Sequence, residues 1–210
     1  MDFEKLQKER KYLSELTGED DGKKAVVAGW VYDIRDLGKV RFVVLRDGTG
    51  ELQITSHKDK ADKKVFSDIG KVTRESAVVI SGTIKKSDKA PGGRELVPSS
   101  FEVVGEAEQP LPIDTSDFSK TELPKRLDYR FLDFHRRKTQ AIFKIQSTIS
   151  RAFLNHFHEK GFVEMQPPCV ISSASEGGTD LFEVKYFEKK AYLAQSPQLY
   201  KQMLACSMEK

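Results

Sequence analysis

Val40-Arg41-Phe42-Val43-Val44-Leu45-Arg46-Asp47-Gly48-Thr49-Gly50-Glu51-Leu52-Gln53-Ile54-Thr55 reads as two β-strands joined by a turn. Both flanks are rich in β-branched and large apolar residues, and the Asp-Gly-Thr-Gly centre supplies glycines that take positive φ without steric cost. Strand alternation lets Phe42 and Gln53 face the same side of the hairpin. An aromatic ring on an open sheet face can stack an unpaired base, and a nearby amide can hydrogen-bond a base edge. Core packing of Phe42 is the competing reading. Arg35 and Arg41 flank the ring and are candidate phosphate contacts, or simply solvated charges.

Outward from this hairpin the pattern continues. Residues 25–34 are β-rich and carry the one tryptophan, Trp30. Residues 58–69 place Ala61, Val65, Phe66 and Ile69 at helical spacing. Residues 77–84 and 95–104 are two more strand-like runs, separated by a polar loop over 87–93. Three strands, a helix and two strands is the order of an OB-fold, a five-stranded Greek-key barrel whose second and third strands offer a nucleic-acid face. A small barrel with no ligand fits the same order. Before it, Phe3, Leu6, Leu13 and Leu16 predict a leader helix within residues 1–19, which leaves 20–108 for the barrel domain.

Gln109-Pro110-Leu111-Pro112 breaks the β pattern and opens a polar hinge over 109–138. From Thr139, Ile142, Ile145, Ile149, Phe153 and Phe157 recur with a helical period, and Gly161 suits the left-handed stop of that helix. Residues 162–166 read as extended, ended by Pro167-Pro168. Residues 172–180 form a small-residue loop, and 181–184 and 191–194 read as short strands. Ser196 suits a helix N-cap and Pro197 the first helical position, with Gln198 and Lys201 on one face of the helix that follows.

Bulk composition bounds the class. The 210 residues are 38% hydrophobic and 32% charged, and 35 basic against 32 acidic residues leave a net charge of +3, which permits a nucleic-acid partner without requiring one. No apolar run nears the roughly 20 residues of a membrane span, and the charged N-terminus is no secretory signal. Cys169 and Cys206 have no metal-ligand spacing and suit free thiols in a reducing cytoplasm. No Walker-type loop or GxGxxG is present.

The ordered motifs resemble those of class II aminoacyl-tRNA synthetases, in the aspartate-specific branch of archaeal or eukaryotic type. A long helix followed by Gly161-Phe162-Val163-Glu164-Met165-Gln166-Pro167-Pro168 is similar to the family's first motif. Ser175-Glu176-Gly177-Gly178-Thr179 and Gln195-Ser196-Pro197-Gln198-Leu199-Tyr200-Lys201-Gln202 resemble its amino-acid-site segments. Gly29-Trp30-Val31, Arg35-Asp36-Leu37-Gly38 and Arg46-Asp47-Gly48 resemble its anticodon-binding domain.

The resemblance implies an α+β chain: an OB-fold barrel, then the start of a mixed α/β catalytic domain on an antiparallel sheet, over 139–210. It implies ATP-dependent attachment of aspartate to tRNA. Phe42, Gln53 and Glu95 would be anticodon contacts, Arg35 a neighbouring one, and Tyr32 and Pro91 would lie near the third anticodon base. There the two disagree: Pro91 leans toward relaxed reading of aspartate and asparagine tRNAs, whereas Tyr32 is not the histidine that accompanies it. The overall leaning is toward relaxed reading.

For the amino acid, Lys201 would meet the side-chain carboxylate, Ser196 and Gln198 would supply neutral hydrogen bonds, and Glu176 would meet the α-ammonium group. Read without the family, Glu176 is a solvated loop charge and Lys201 a surface lysine. ATP and Mg2+ are implied cofactors, but the family's ATP-gripping arginines are expected beyond Lys210. No catalytic residue or metal ligand is therefore assigned, and the 210-residue chain alone is expected to be inactive. A homodimer through the long helix and residues 161–168 is implied. Phe134-His135 departs from the Leu-Arg usual in the family's hinge. A non-catalytic tRNA-binding module and an asparagine-specific synthetase are the alternatives; the positive charge of Lys201 favours an anionic substrate over a neutral amide.

Overall fold

In the computed structural model, which describes residues 8–172 and 181–210, the hairpin of residues 40–55 forms as read. Strand β2 (Val40–Arg46) pairs antiparallel with β3 (Glu51–His57), and Phe42 lies opposite Thr55 and Val44 opposite Gln53. Asp47 builds the turn. Its carboxylate accepts from Thr49 N (2.7 Å), Thr49 Oγ1 (2.7 Å) and Gly50 N (2.9 Å). Burial alone would push this carboxyl up, but these hydrogen bonds, with a further one from Leu13 N, bring it below the ordinary value.

The chain divides into two units, Met1–Pro112 and Ile113–Lys210. In the first, β1 (Lys24–Asp36), β2, β3, β4 (Ala77–Lys86) and β5 (Arg94–Gly105) close a barrel in the order β1-β2-β3-β5-β4. The β3–β5 contact is parallel and short, with Gln53 opposite Glu95 and Ile54 opposite Leu96; the other pairs are antiparallel. Helix α1 (Lys63–Ile69) stands between β3 and β4. Asp62 caps it, accepting from Lys64 N at 2.7 Å and Val65 N at 3.3 Å. The core alternates along the strands as a barrel requires: Val27, Val31, Val43, Leu45, Leu52, Ile54, Ile80, Ile84 and Leu96 are 0–1% exposed. Gly82 is where β4 approaches β5 so closely that a Cβ would collide with the Val97 carbonyl.

Phe3 and Leu6 of the expected leader helix lie outside the described residues, and from Arg10 onward the leader departs from that helix. Among the described residues only Lys8 and Glu9 are helical. Arg10 bridges Val26 in parallel, and 3-10 turns follow at Leu13–Glu15 and Gly18–Asp20. Two forces override the helical spacing. Leu13 (0% exposed) and Leu16 (6%) bury themselves among the barrel's core residues, and Asp47 Oδ2 accepts from Leu13 N at 3.0 Å.

The second unit begins with two short helices, α2 (Leu123–Asp128) and α3 (Arg130–Asp133), leading into α4 (Arg137–Glu159). Helix α4 thus starts two residues before Thr139. Its end is a Schellman motif: Gly161 takes φ 80°, Gly161 N donates to His158 O (2.9 Å) and Phe162 N to Phe157 O (3.0 Å). The rings of Phe157 and Phe162 close the motif at 5.3 Å between centroids. Among the described residues, 162–168 have no ladder partner, so the stretch read as extended joins no sheet there. Strands β6 (Val170–Ile171), β7 (Phe182–Tyr186) and β8 (Lys189–Leu193) form an antiparallel sheet in the order β6-β8-β7. Helix α5 (Gln198–Met208) ends the chain; Pro197, not Ser196, is its flanking residue, and no side chain caps it. Among the described residues no helix is long and apolar enough to cross a membrane.

Candidate nucleic-acid interface and amino-acid site

The register of β1, β2 and β3 decides what the barrel shows to solvent. Val43 and Leu45 point into the core, so Phe42 and Val44 lie on the other face of the strand. Their partners Thr55 and Gln53 share that face, Thr55 buried and Gln53 half-buried. Arg35 lies opposite Phe42 on β1 and shares the face. Phe42 is half-buried and lies outside the core cluster, so core packing does not explain it. The parallel contact then brings Glu95 of β5 beside Gln53. Glu95 Oε2 accepts from Gln53 Nε2 at 3.0 Å and from Thr55 Oγ1 at 2.6 Å. Phe42, Gln53, Glu95 and Arg35 therefore share one surface, an aromatic platform bordered by a polar network.

Thr55 belongs to that network and escaped the reading of the sequence. The hairpin register, which sets it opposite Phe42, was the available signal. Arg41 falls on the other side of β2, opposite Ser56. Its Nε donates to Asp36 at 2.8 Å, its Nη1 donates to the Phe66 carbonyl, and its guanidinium lies 4.2 Å from the Phe66 ring centroid. These contacts fasten α1 to the barrel and occupy the guanidinium on the face away from Phe42.

Tyr32 sits at a β-bulge between Val31 and Asp33, which re-aims its side chain. The Arg46 guanidinium lies 3.6 Å from the centre of the Tyr32 ring, while Arg46 Nη2 donates to Glu51 Oε1 at 2.7 Å. On the backbone side Arg74 Nε donates to the Tyr32 carbonyl at 2.9 Å. Glu51 and Arg74 were not foreseen, nor was the contact of Arg46 with Tyr32, because they act through a ring whose orientation depends on the bulge. Pro91 opens an exposed 3-10 turn, Pro91–Gly93, that touches β3.

The second unit carries the other candidates. Glu176 lies outside the described residues. Gln198 and Lys201 are exposed on the first turn of α5, and Ser196 lies half-buried just before it. Lys201 borders a cleft of about 250 Å³ whose walls include Phe162, Val163, Met165, Leu204 and Met208. In the hinge, the fully buried Asp133 takes Arg126 Nε at 2.6 Å, Arg130 Nη1, and Thr139 Oγ1 at 3.3 Å, with Arg136 at 3.5 Å. Burial raises the Asp133 carboxyl; Arg126, Arg130 and Thr139 outweigh it and hold it below the ordinary value. Among the described residues no three metal-ligating side chains converge.

Comparison with known proteins divides the chain in the same place. Residues 25–104 match the OB-fold nucleic acid binding domain family, and residues 122–210 match the family of class II tRNA synthetases (D, K and N). The aspartate–tRNA(Asp/Asn) ligase of Methanopyrus kandleri is 48% identical over 193 residues, 92% of this chain and 45% of that protein. The aspartate–tRNA(Asp) ligase of Pyrococcus furiosus is 46% identical over 200 residues, 95% of this chain and 46% of that protein. The chain thus spans about half the length of these relatives. Among solved structures, the asparaginyl-tRNA synthetase of Pyrococcus horikoshii, complexed with asparaginyl-adenylate, matches with a TM-score of 0.86 and 36% identity over 94% of this chain and 45% of that one.

Proposed function

We propose that the chain is part of a class II aminoacyl-tRNA synthetase, an aspartate–tRNA ligase, which joins aspartate to the 3′ end of tRNA at the expense of ATP. The match of residues 122–210 and the 46–48% identity to such ligases support this reading. The outward Phe42 beside the Gln53–Thr55–Glu95 network carries the nucleic-acid half of this reading. A splayed loop base stacks on Phe42, and its edge meets amide and carboxylate groups already held in place. That fixed geometry lowers the ordering cost of binding.

For the amino acid, Lys201 supplies a cation to the substrate carboxylate, with Gln198 and Ser196 as neutral partners and Glu176 as the anion for the ammonium group. An asparagine substrate would leave the charge of Lys201 unanswered, which favours aspartate. Adenylation and transfer in this family depend on positioning and charge neutralisation rather than on a protein nucleophile. ATP with Mg2+ provides the activating phosphoanhydride in class II synthetases. The described residues hold no ligand set that fits Mg2+, so none of them is assigned to it.

The experiment is binding of the 210-residue chain to two RNA hairpins, one with the aspartate anticodon and one with its loop bases scrambled. Preference for the first supports the reading; equal binding overturns the base-reading role of the barrel.

Relaxed reading of the third anticodon base is proposed as well. Pro91 offers neither a side-chain donor nor an N–H, and Tyr32 is occupied by Arg46. Hairpins differing only at that base should bind within about tenfold of each other, which is about 1.4 kcal/mol. A larger preference for the aspartate loop overturns relaxed reading.

A further inference from the structure

The face that carries Phe42 is electrically polarised along the strands. At one end the carboxylates sit: Glu51 is paired with Arg46, and Glu95 is bonded to Gln53 and Thr55. At the other end the β1–β2 turn and the segment after β3 come together, because Lys58 N donates to Lys39 O at 2.9 Å. Val40 and His57 form the last cross-strand pair there, two residues beyond Phe42 and Thr55 and on the same face. This joins Lys39, Lys58 and Lys60 into one edge, all three exposed.

The acids around this edge are committed elsewhere, which leaves its charge unbalanced. Asp36 accepts from Gly38 N and Arg41 Nε, both at 2.8 Å, and lies below its ordinary pKa through that backbone bond first and Arg41 second. Asp62 caps α1. Asp33 stands 3.5 Å from Arg35. Asp59, exposed, is the one acid within the Lys58–Lys60 segment itself.

We propose that Lys39, Lys58 and Lys60 form a phosphate-binding edge that holds the RNA backbone as it leaves the base stacked on Phe42. The inference rests on the reading of this face as an RNA-binding surface, and it adds a direction. The bases lie toward Glu95, where carboxylates would repel phosphate, and the backbone runs off toward Lys39. Three ammonium groups at such an edge release counterions on binding and contribute affinity that does not depend on sequence.

The test is a salt titration of hairpin binding to the 210-residue chain. It compares the unaltered protein, the combined Lys39→Gln, Lys58→Gln, Lys60→Gln variant, the corresponding triple Lys→Arg variant, and Phe42→Ala. The glutamine variant should lose on the order of tenfold in affinity at low salt, equally for aspartate and scrambled hairpins. Its slope of log affinity against log salt should become shallower by about 2. The arginine variant should keep both. Phe42→Ala should erase the preference for the aspartate hairpin and leave the slope unchanged. An unchanged slope in the glutamine variant overturns the phosphate edge whatever Phe42→Ala does. A reduced slope combined with an inert Phe42→Ala supports the edge and overturns base reading instead. Failure of the unaltered chain to bind any hairpin at low salt overturns both.

Discussion

Phe42 can be told apart from a core residue by what its loss leaves intact. It lies outside the buried cluster of the barrel, so Phe42→Ala should leave the melting temperature of the barrel within a degree or two. The same change should cost about 1–3 kcal/mol in affinity for the aspartate anticodon hairpin, measured by fluorescence anisotropy. A large fall in melting temperature would return the ring to the core. Asp133 is the opposite case, a charge whose work is structural. Its pKa is lowered in the folded state, so its contribution is complete above the unfolded value near 3.9 and is lost as pH falls through the folded value. Asp133→Asn should destabilise the second unit by about 3 kcal/mol at neutral pH, since Arg126, Arg130 and Arg136 lose their common counter-charge. The variant's stability, followed by thermal denaturation from pH 6 to pH 2, should decline less steeply with acid than that of the parent.

At the scale of elements, the stop of α4 rests on one backbone conformation. Gly161→Ala forces a Cβ into φ 80° and should cost roughly 1–2 kcal/mol, read as a lower denaturation midpoint with the RNA affinity of the barrel unchanged. This cap, the five strands and α4 were legible because each carries a local signal: alternation, helical period, or a glycine past the last apolar residue. The leader was not. Leu13 and Leu16 have helical spacing, yet barrel burial and the Asp47 carboxylate claim them, and neither partner is near in sequence. The same limit explains the site. Phe42 and Gln53 were readable from one hairpin, whereas the hydrogen bonds from Thr55 and Gln53 to Glu95 span 40 and 42 residues. The clasp of Arg46 on Tyr32 hangs on a bulge that no composition signal marks.

At the scale of the molecule, α4 displays a surface that water does not favour. Ile142, Ile145, Ile149 and Phe153 are 60, 60, 63 and 63% exposed along one stripe. Self-association through this stripe is the expected outcome, with sedimentation showing a concentration-dependent dimer. Ile145→Lys combined with Ile149→Lys should return the chain to monomer while the barrel binds RNA as before. A monomer at all concentrations in the unaltered chain would contradict a homodimer built on α4.

The short parallel join between β3 and β5 has a kinetic consequence. Local hairpins form within microseconds, but Gln53 and Glu95 meet only after the chain between them has been drawn into a loop, an entropic cost incurred before any contact rewards it. A nascent chain that has emerged only as far as β4 already possesses Phe42, Gln53 and Thr55, yet not the acceptor that fixes the latter two. The polar network beside Phe42 is therefore completed only when β5 joins the barrel, so if this face reads RNA as proposed, a half-made barrel offers the aromatic platform before the groups that would make it selective.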